Sequence, residues 1–187
     1  MAENPTTALT AHWRLPPFFT LQPVATTRVE QLALWRTLIV DFCREQRLAS
    51  LPLDAASGPP FANTAISRAL DAAGRRAVAD ALIAAGEAQW VAGAAGERLL
   101  VWWRPLAHWA DELSRHLRSA GGSVFTMAEL KSTDADSPVR GCELYGLGAD
   151  LVRAAVAELE RTGRAATFGS KPSVAGGDDD EVGVKLL

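Results

Sequence analysis

One run of secondary-structure signals occurs twice along this chain, and that repetition limits the fold more than any other feature. In the first run, Thr27 with Glu30 forms a capping box ahead of a helix over 28–47. Val29, Leu32, Trp35, Ile39 and Phe42 recur at three- and four-residue steps, the spacing of a buried helical stripe, and Leu34 and Leu38 widen it. Pro52, Gly58, Pro59 and Pro60 mark a loop. Phe61 to Leu70 reads as a short helix. Asp71 then caps a longer one that turns Val78, Leu82 and Ile83 inward and stops at Gly86. Gln89-Trp90-Val91 and Arg98 to Trp103 flank a glycine-bearing turn at 93–96, which predicts a hairpin. Its second strand is apolar almost throughout and should be covered on both faces.

The second run follows the same order. Pro105 opens a helix at a position where a missing N–H costs nothing. Leu106, Trp109, Leu113 and Leu117 form its stripe, and Gly121-Gly122 end it. Val124-Phe125 lead into Thr126, which with Glu129 caps a short helix. A polar loop over 132–146 precedes a helix over 149–162, carried by Leu151, Val152, Ala155, Val156 and Leu159 and stopped by Gly163. Ala165 to Phe168 and Val182 to Leu187 close as a hairpin with 176–180 at its tip.

Trp35 and Trp109, and again Gly86 and Gly163, stand about 75 residues apart, as two copies of one domain would place them. Three helices followed by a β-hairpin is the winged-helix pattern, an elaboration of helix-turn-helix. The sequence therefore predicts an α+β chain of two tandem winged-helix domains, over 28–103 and 104–187, behind an N-terminal arm over 1–27. The boundary at Trp103-Arg104-Pro105 leaves almost no linker, so the two domains are expected to be rigidly joined.

The arm carries Leu15-Pro16-Pro17-Phe18-Phe19-Thr20-Leu21-Gln22-Pro23. Two prolines fix φ and remove two backbone donors, which predicts a rigid, extended segment. In an extended chain Phe18 and Phe19 point to opposite sides, so only one turns easily onto its own domain. Such a segment either packs along its own core or docks in another protein's groove. Trp13, beside it, is open to the same two roles.

Several function classes fall away. The formal charge is −3, and Lys occurs only at 131, 171 and 185, so no basic stripe awaits a duplex. The third helix of each domain would be the reading helix. It mixes Arg75 and Arg76 with Asp71 and Asp80 in one, and Arg153 and Arg161 with Asp150, Glu158 and Glu160 in the other. His108, Glu112 and His116 share a helix face, but two helical turns span about 11 Å, too far for one ion to bind both histidines; the face is read as solvated. No nucleophile or phosphate-cradling motif is present, so no catalytic, cofactor-binding or metal residues are assigned. No stretch approaches the roughly 18 consecutive apolar residues of a membrane span. Cys43 and Cys142 form no metal-type or redox-type pair and are expected to be reduced in the cytosol.

From Trp13 to Leu187 the chain resembles the small subunits of the ESCRT-II endosomal sorting complex. The most specific part is the run from Pro16 to Pro23. Thr27-Arg28, Gln31-Leu32, Trp35 and Phe42-Cys43 follow, then Gly86 with Trp90, and Trp102 or Trp103 ahead of Trp109. Ser123-Val124-Phe125-Thr126 with Glu129-Leu130 and the ending Gly183-Val184-Lys185 complete it. The resemblance implies a non-catalytic protein of two winged-helix domains that acts in multivesicular body sorting of ubiquitinated cargo. It would be cytoplasmic and peripherally recruited to endosomal membranes. Two copies would join two larger subunits. It implies that Pro16, Pro17, Phe18 and Phe19 dock on those subunits. It further implies that the second domain recruits and nucleates ESCRT-III through a surface at Val124, Phe125, Thr126, Met127 and Glu129. The alternative from another class is a winged-helix DNA-binding transcriptional regulator. Three features depart from the family: few acids in 133–146, an insertion-like 170–180, and an alanine-rich helix at 71–85.

Overall fold

The computed structural model describes residues 10–53, 58–91, 96–169 and 179–187. The predicted turn at 93–95 and the insertion-like 170–178 lie outside the described residues. Two compact units divide the chain: residues 10–90 with 96–103, and residue 91 with 104–187.

The first unit begins with a short helix α1 (Thr10–Trp13) and a 3₁₀ turn at Pro16–Phe19. Helix α2 (Ala25–Glu45) follows. It starts three residues before the sequence suggested, because Val24 is extended and Ala25 already opens the first turn. Thr27 is thus inside the helix, and no side chain caps it, so the expected Thr27–Glu30 box does not form. Val29, placed on the buried stripe from sequence, is 69% exposed. The buried face is Gln31, Trp35, Leu38, Ile39, Phe42 and Cys43, with a polar residue where the apolar pattern began.

Strand β1 (Ser50–Pro52) comes next. The segment read as a short helix at 61–70 is instead a two-residue ladder, β2 (Ala62–Asn63) with β3 (Arg68–Ala69), around a 3₁₀ turn. Asn63 is the reason. Its carboxamide oxygen accepts from Ala65 N at 3.1 Å and its nitrogen donates to Trp13 O at 2.8 Å, offering the backbone a turn instead of a helix. Helix α3 (Ala72–Ala84) is capped as expected by Asp71, which accepts from Gly74 N at 2.7 Å. Gly86, at φ 71°, ends that segment in a left-handed conformation that suits glycine. Strands β4 (Ala88–Trp90) and β5 (Arg98–Val101) form the hairpin, and β5 is the centre of an antiparallel sheet β1-β5-β4. Leu99, Leu100 and Val101 are accordingly all buried.

The second unit repeats the plan. Helix α4 (Leu106–Ser119) buries Trp109, Leu113 and Leu117, and β6 (Val124–Thr126) runs directly into α5 (Met127–Lys131). Here the capping box is real: Glu129 N donates to Thr126 Oγ1 at 3.2 Å and Thr126 N donates to Glu129 Oε2 at 2.6 Å. Helix α6 (Ala149–Arg161) leads to β7 (Ala165–Phe168) and β8 (Gly183–Leu186) in a sheet of order β6-β8-β7. The polar loop over 132–146 contributes to the core through Val139, Cys142 and Leu144. It corrects the reading of α4's polar face as merely solvated. Glu143 of that loop accepts from Arg104 at 2.9 Å and meets His108 Nε2 at 3.3 Å, while Glu112 pairs with Arg115 and lies near Cys142 Sγ.

Candidate functional site

The proline segment is not extended. Phe18 N donates to Leu15 O at 3.0 Å and Thr20 N to Pro17 O at 3.2 Å, closing the 3₁₀ turn. Pro16 and Pro17 sit in its first positions, where the missing N–H groups would have had no partner within the turn. The turn rotates both phenylalanines inward. Phe18 stacks on Trp35 at 4.5 Å and 10°, and Phe19 meets Trp35 edge-on at 5.6 Å. Trp13 closes the cluster, edge-on to Phe19 at 5.1 Å and to Trp35 at 6.3 Å. Phe18 is 6% exposed and Phe19 3%. This corrects the expectation that only one of them turns home, and it assigns Trp13 to the core.

Gln31 explains why a polar side chain is buried there. Its Nε2 donates to Phe18 O and to Thr20 O, both at 2.9 Å, and its Oε1 accepts from Gln22 N at 3.1 Å. Trp35 Nε1 donates to Phe18 O at 3.2 Å. Gln22 Nε2 reaches Pro17 O and Thr20 O at 3.2 and 3.1 Å. Arg28 holds the carbonyls of Gln22 and Pro23 at 2.7 and 3.2 Å. The turn is thus fixed from beneath, and what faces out is Leu15, Pro16 and Pro17, with Leu15 52% exposed. These residues form a ridge between two grooves. One, of about 280 Å³, is lined by Leu15, Pro17, Phe18, Leu34, Gln22 and Glu30 among others. The other, of about 550 Å³, has Pro16, Phe19, Thr20, Ser67 and Arg68 along it.

At the second candidate surface, Val124 is exposed, Glu129 is exposed and Thr126 half-buried. Phe125 and Met127 are buried. Alternation along β6 sends Phe125 inward, where its ring covers Gly122 so closely that an added Cβ would lie 2.2 Å from it. Only Val124, Thr126 and Glu129 of the five expected residues therefore face outward. Sequence reasoning missed their neighbours. Phe168, half-exposed, lies over Gly183 in the register that pairs them, and Val124 opposes Lys185 on the same sheet. It also missed a charge cluster at the base of the hairpin. Lys131 Nζ donates to Asp179 Oδ1 and Asp180 Oδ1, both at 2.5 Å, and Arg153 holds Asp179 through two nitrogens at 2.9 and 3.0 Å. Burial pushes the Asp179 carboxyl up, but hydrogen bonds from Arg153 and Lys131 outweigh it and hold it at about 2.

Those pairs also bear on duplex recognition. On α3, Arg75 donates to Leu70 O at 2.7 Å, and Arg76 pairs with Asp80 at 3.2 Å while lying 4.7 Å over the Trp90 ring. On α6, Arg153 is engaged by Asp150 and Asp179, and Arg161 by Glu158. Arg76, Arg153 and Arg161 are thus paired with carboxylates, and Arg75 is held by a backbone carbonyl, so the third helices do not present a basic stripe. Among the described residues, no group of three His, Cys, Asp or Glu side chains is placed to hold a metal, and no helix is long and apolar enough to cross a membrane.

The family of ESCRT-II complex subunits matches this chain over residues 12–148, a span that contains the aromatic cluster, the ridge and both copies of the repeat up to α6. The chain belongs to that family. Its relatives include vacuolar protein sorting-associated protein 25 of Arabidopsis thaliana, 33% identical over 173 residues, covering 91% of this chain and 90% of the relative. The Homo sapiens protein of the same name is 34% identical over 146 residues, covering 76% and 81%. The fold matches a crystal structure of subunit VPS25 of the endosomal trafficking complex ESCRT-II, with a TM-score of 0.77 at 20% identity over 97% of this chain and all of that one. It also matches a chain of the crystal structure of the ESCRT-II complex of VPS22, VPS25 and VPS36, with a TM-score of 0.74 at 20% identity, again over 97% and 100%. An α+β winged-helix fold in the ESCRT-II family accounts for the repeated helix-and-hairpin plan of both units.

Proposed function

We propose that this chain is the small, non-catalytic subunit of an ESCRT-II complex, docking on counterparts of VPS22 and VPS36 through the ridge Leu15-Pro16-Pro17. The observation that carries this is the ridge itself: two exposed prolines on a turn already fixed by Gln31, Trp35 and Gln22. A partner meets a preorganised apolar edge and loses little entropy ordering it. The docking motif read from sequence thus divides. Pro16 and Pro17 are the contact residues, and Phe18 and Phe19 hold them in place from the core.

In the second unit, the outward Val124, Thr126 and Glu129 form the surface for an ESCRT-III subunit. Phe125 and Met127 support it from inside. Two copies per complex would present the same ridge to two different larger subunits. The complex would act at endosomal membranes in sorting ubiquitinated cargo, with this chain recruited there indirectly.

Co-expression with the two larger subunits tests the reading. One assembly containing two copies of this chain per pair of larger subunits, measured by light scattering, is the expected result. Failure to co-purify, with each protein folded, refutes it.

A further inference from the structure

We propose that the groove beside the ridge receives a basic side chain of a larger ESCRT-II subunit and that Glu30 selects it, an inference that rests on the docking reading above. The groove encloses about 280 Å³ between α1, the 3₁₀ turn and the first turns of α2. Its walls are apolar at Leu15, Pro17, Phe18 and Leu34, and His12, Gln22, Thr27, Glu30 and Gln31 supply polar groups. That volume is large enough for the aliphatic stem of one long side chain.

Among the side chains that line the groove Glu30 is the one carboxylate, while His12 and Thr27 can also donate hydrogen bonds. Both donors of Gln22 Nε2 are spent on Pro17 O and Thr20 O, and both of Gln31 Nε2 on Phe18 O and Thr20 O. Among the described residues, the Glu30 carboxylate and Gln22 Oε1 have no hydrogen-bond or ion-pair partner. Arg28, two residues from Glu30, is occupied by the carbonyls of Gln22 and Pro23. Because α2 begins at Ala25 and leaves its Thr27 without a capping role, Glu30 is not drawn back to the helix end. A side chain with an apolar stem and a cationic head satisfies the walls and the acceptors together. An acidic residue would be repelled by Glu30. An apolar one would cover that carboxylate without pairing it, which costs affinity.

The test titrates the full chain against the co-purified larger subunits at low and high salt. Glu30→Gln is expected to weaken binding about five- to tenfold at low salt and to flatten its salt dependence. Glu30→Asp should retain most of the affinity, and Glu30→Lys should lose more than Glu30→Gln. Unchanged affinity and salt slope in Glu30→Gln overturn the inference. A Pro16→Ala/Pro17→Ala double variant separates the two readings. Binding lost there but intact in Glu30→Gln rejects the groove and keeps the docking ridge, whereas binding intact in both rejects docking as well.

Discussion

Replacing Phe18 by alanine should damage the fold of the first unit far more than it damages any surface, and the size of that damage follows from its surroundings. The ring is 6% exposed and stacked on Trp35, which is itself fully buried. A phenylalanine buries about 150–250 Å², which at about 25 cal/mol per Å² corresponds to about 4–6 kcal/mol; the alanine keeps a share, and measured Phe→Ala losses in cores run about 3–5 kcal/mol. Losing the ring stack adds about 1 kcal/mol to that range's lower end. Domain stabilities are about 5–15 kcal/mol, so Phe18→Ala should leave the first unit marginal. Pro16→Ala with Pro17→Ala should differ in kind. Both prolines are exposed, and neither had an N–H to lose, so the change mainly frees the unfolded chain, at about 0.4–1 kcal/mol each. Urea unfolding of the full chain, followed by tryptophan fluorescence, reads both, because Trp13 and Trp35 report on the cluster. The reasoning fails if Phe18→Ala unfolds at the wild-type urea concentration. That result would mean the ring spends its time outside the core.

Three further outcomes are expected. Gln31→Leu should cost about 1–3 kcal/mol, measured by the same unfolding, because Gln22 N loses its acceptor and the Phe18 and Thr20 carbonyls each lose one of two donors. Asp179 titrates at about 2 in the fold against an ordinary 3.8, so its contribution, about 2 kcal/mol, is fully present above pH 4 and is lost as pH falls from about 4 to 2. Asp179→Asn should remove that pH-dependent part of the second unit's acid transition; an unaltered acid transition speaks against the cluster. Burial pushes the Cys43 thiol up to about 12, so alkylation at pH 8 should follow unfolding rather than precede it, as mass spectrometry across a urea series can show.

Much of the repeated architecture was legible because its signals are local. Asp71, the Thr126–Glu129 box, Pro105 and the stop glycines act within one turn of helix, and each is found in its expected role. The failures share a cause in contacts distant along the chain. Asn63 takes its segment out of helix by bonding Trp13 O, fifty residues away, which no window of neighbours reveals. Gln31 is buried because its amide serves the backbone of the 3₁₀ turn, so the stripe on α2 begins with a polar residue and excludes Val29. Residue type alone marks the proline segment as a candidate contact. Its conformation is not local, because the pull on Phe18 and Phe19 comes from Trp35 and Trp13 rather than from the prolines. Likewise, residue type alone makes Asp179 part of a loop tip, and only the fold brings Lys131 and Arg153 around it.

The central claim is that Pro16 and Pro17 meet the larger subunits while Phe18 and Phe19 stay in their own core. Carbene footprinting of the chain alone and within the reconstituted complex measures this directly. Leu15, Pro16 and Pro17 should be labelled in the free chain and protected in the complex, with Phe18 and Phe19 unlabelled in both. Labelling of Phe18 and Phe19 in the free chain that disappears on assembly would contradict the claim, since it would mean the arm opens and inserts its aromatics into the partner.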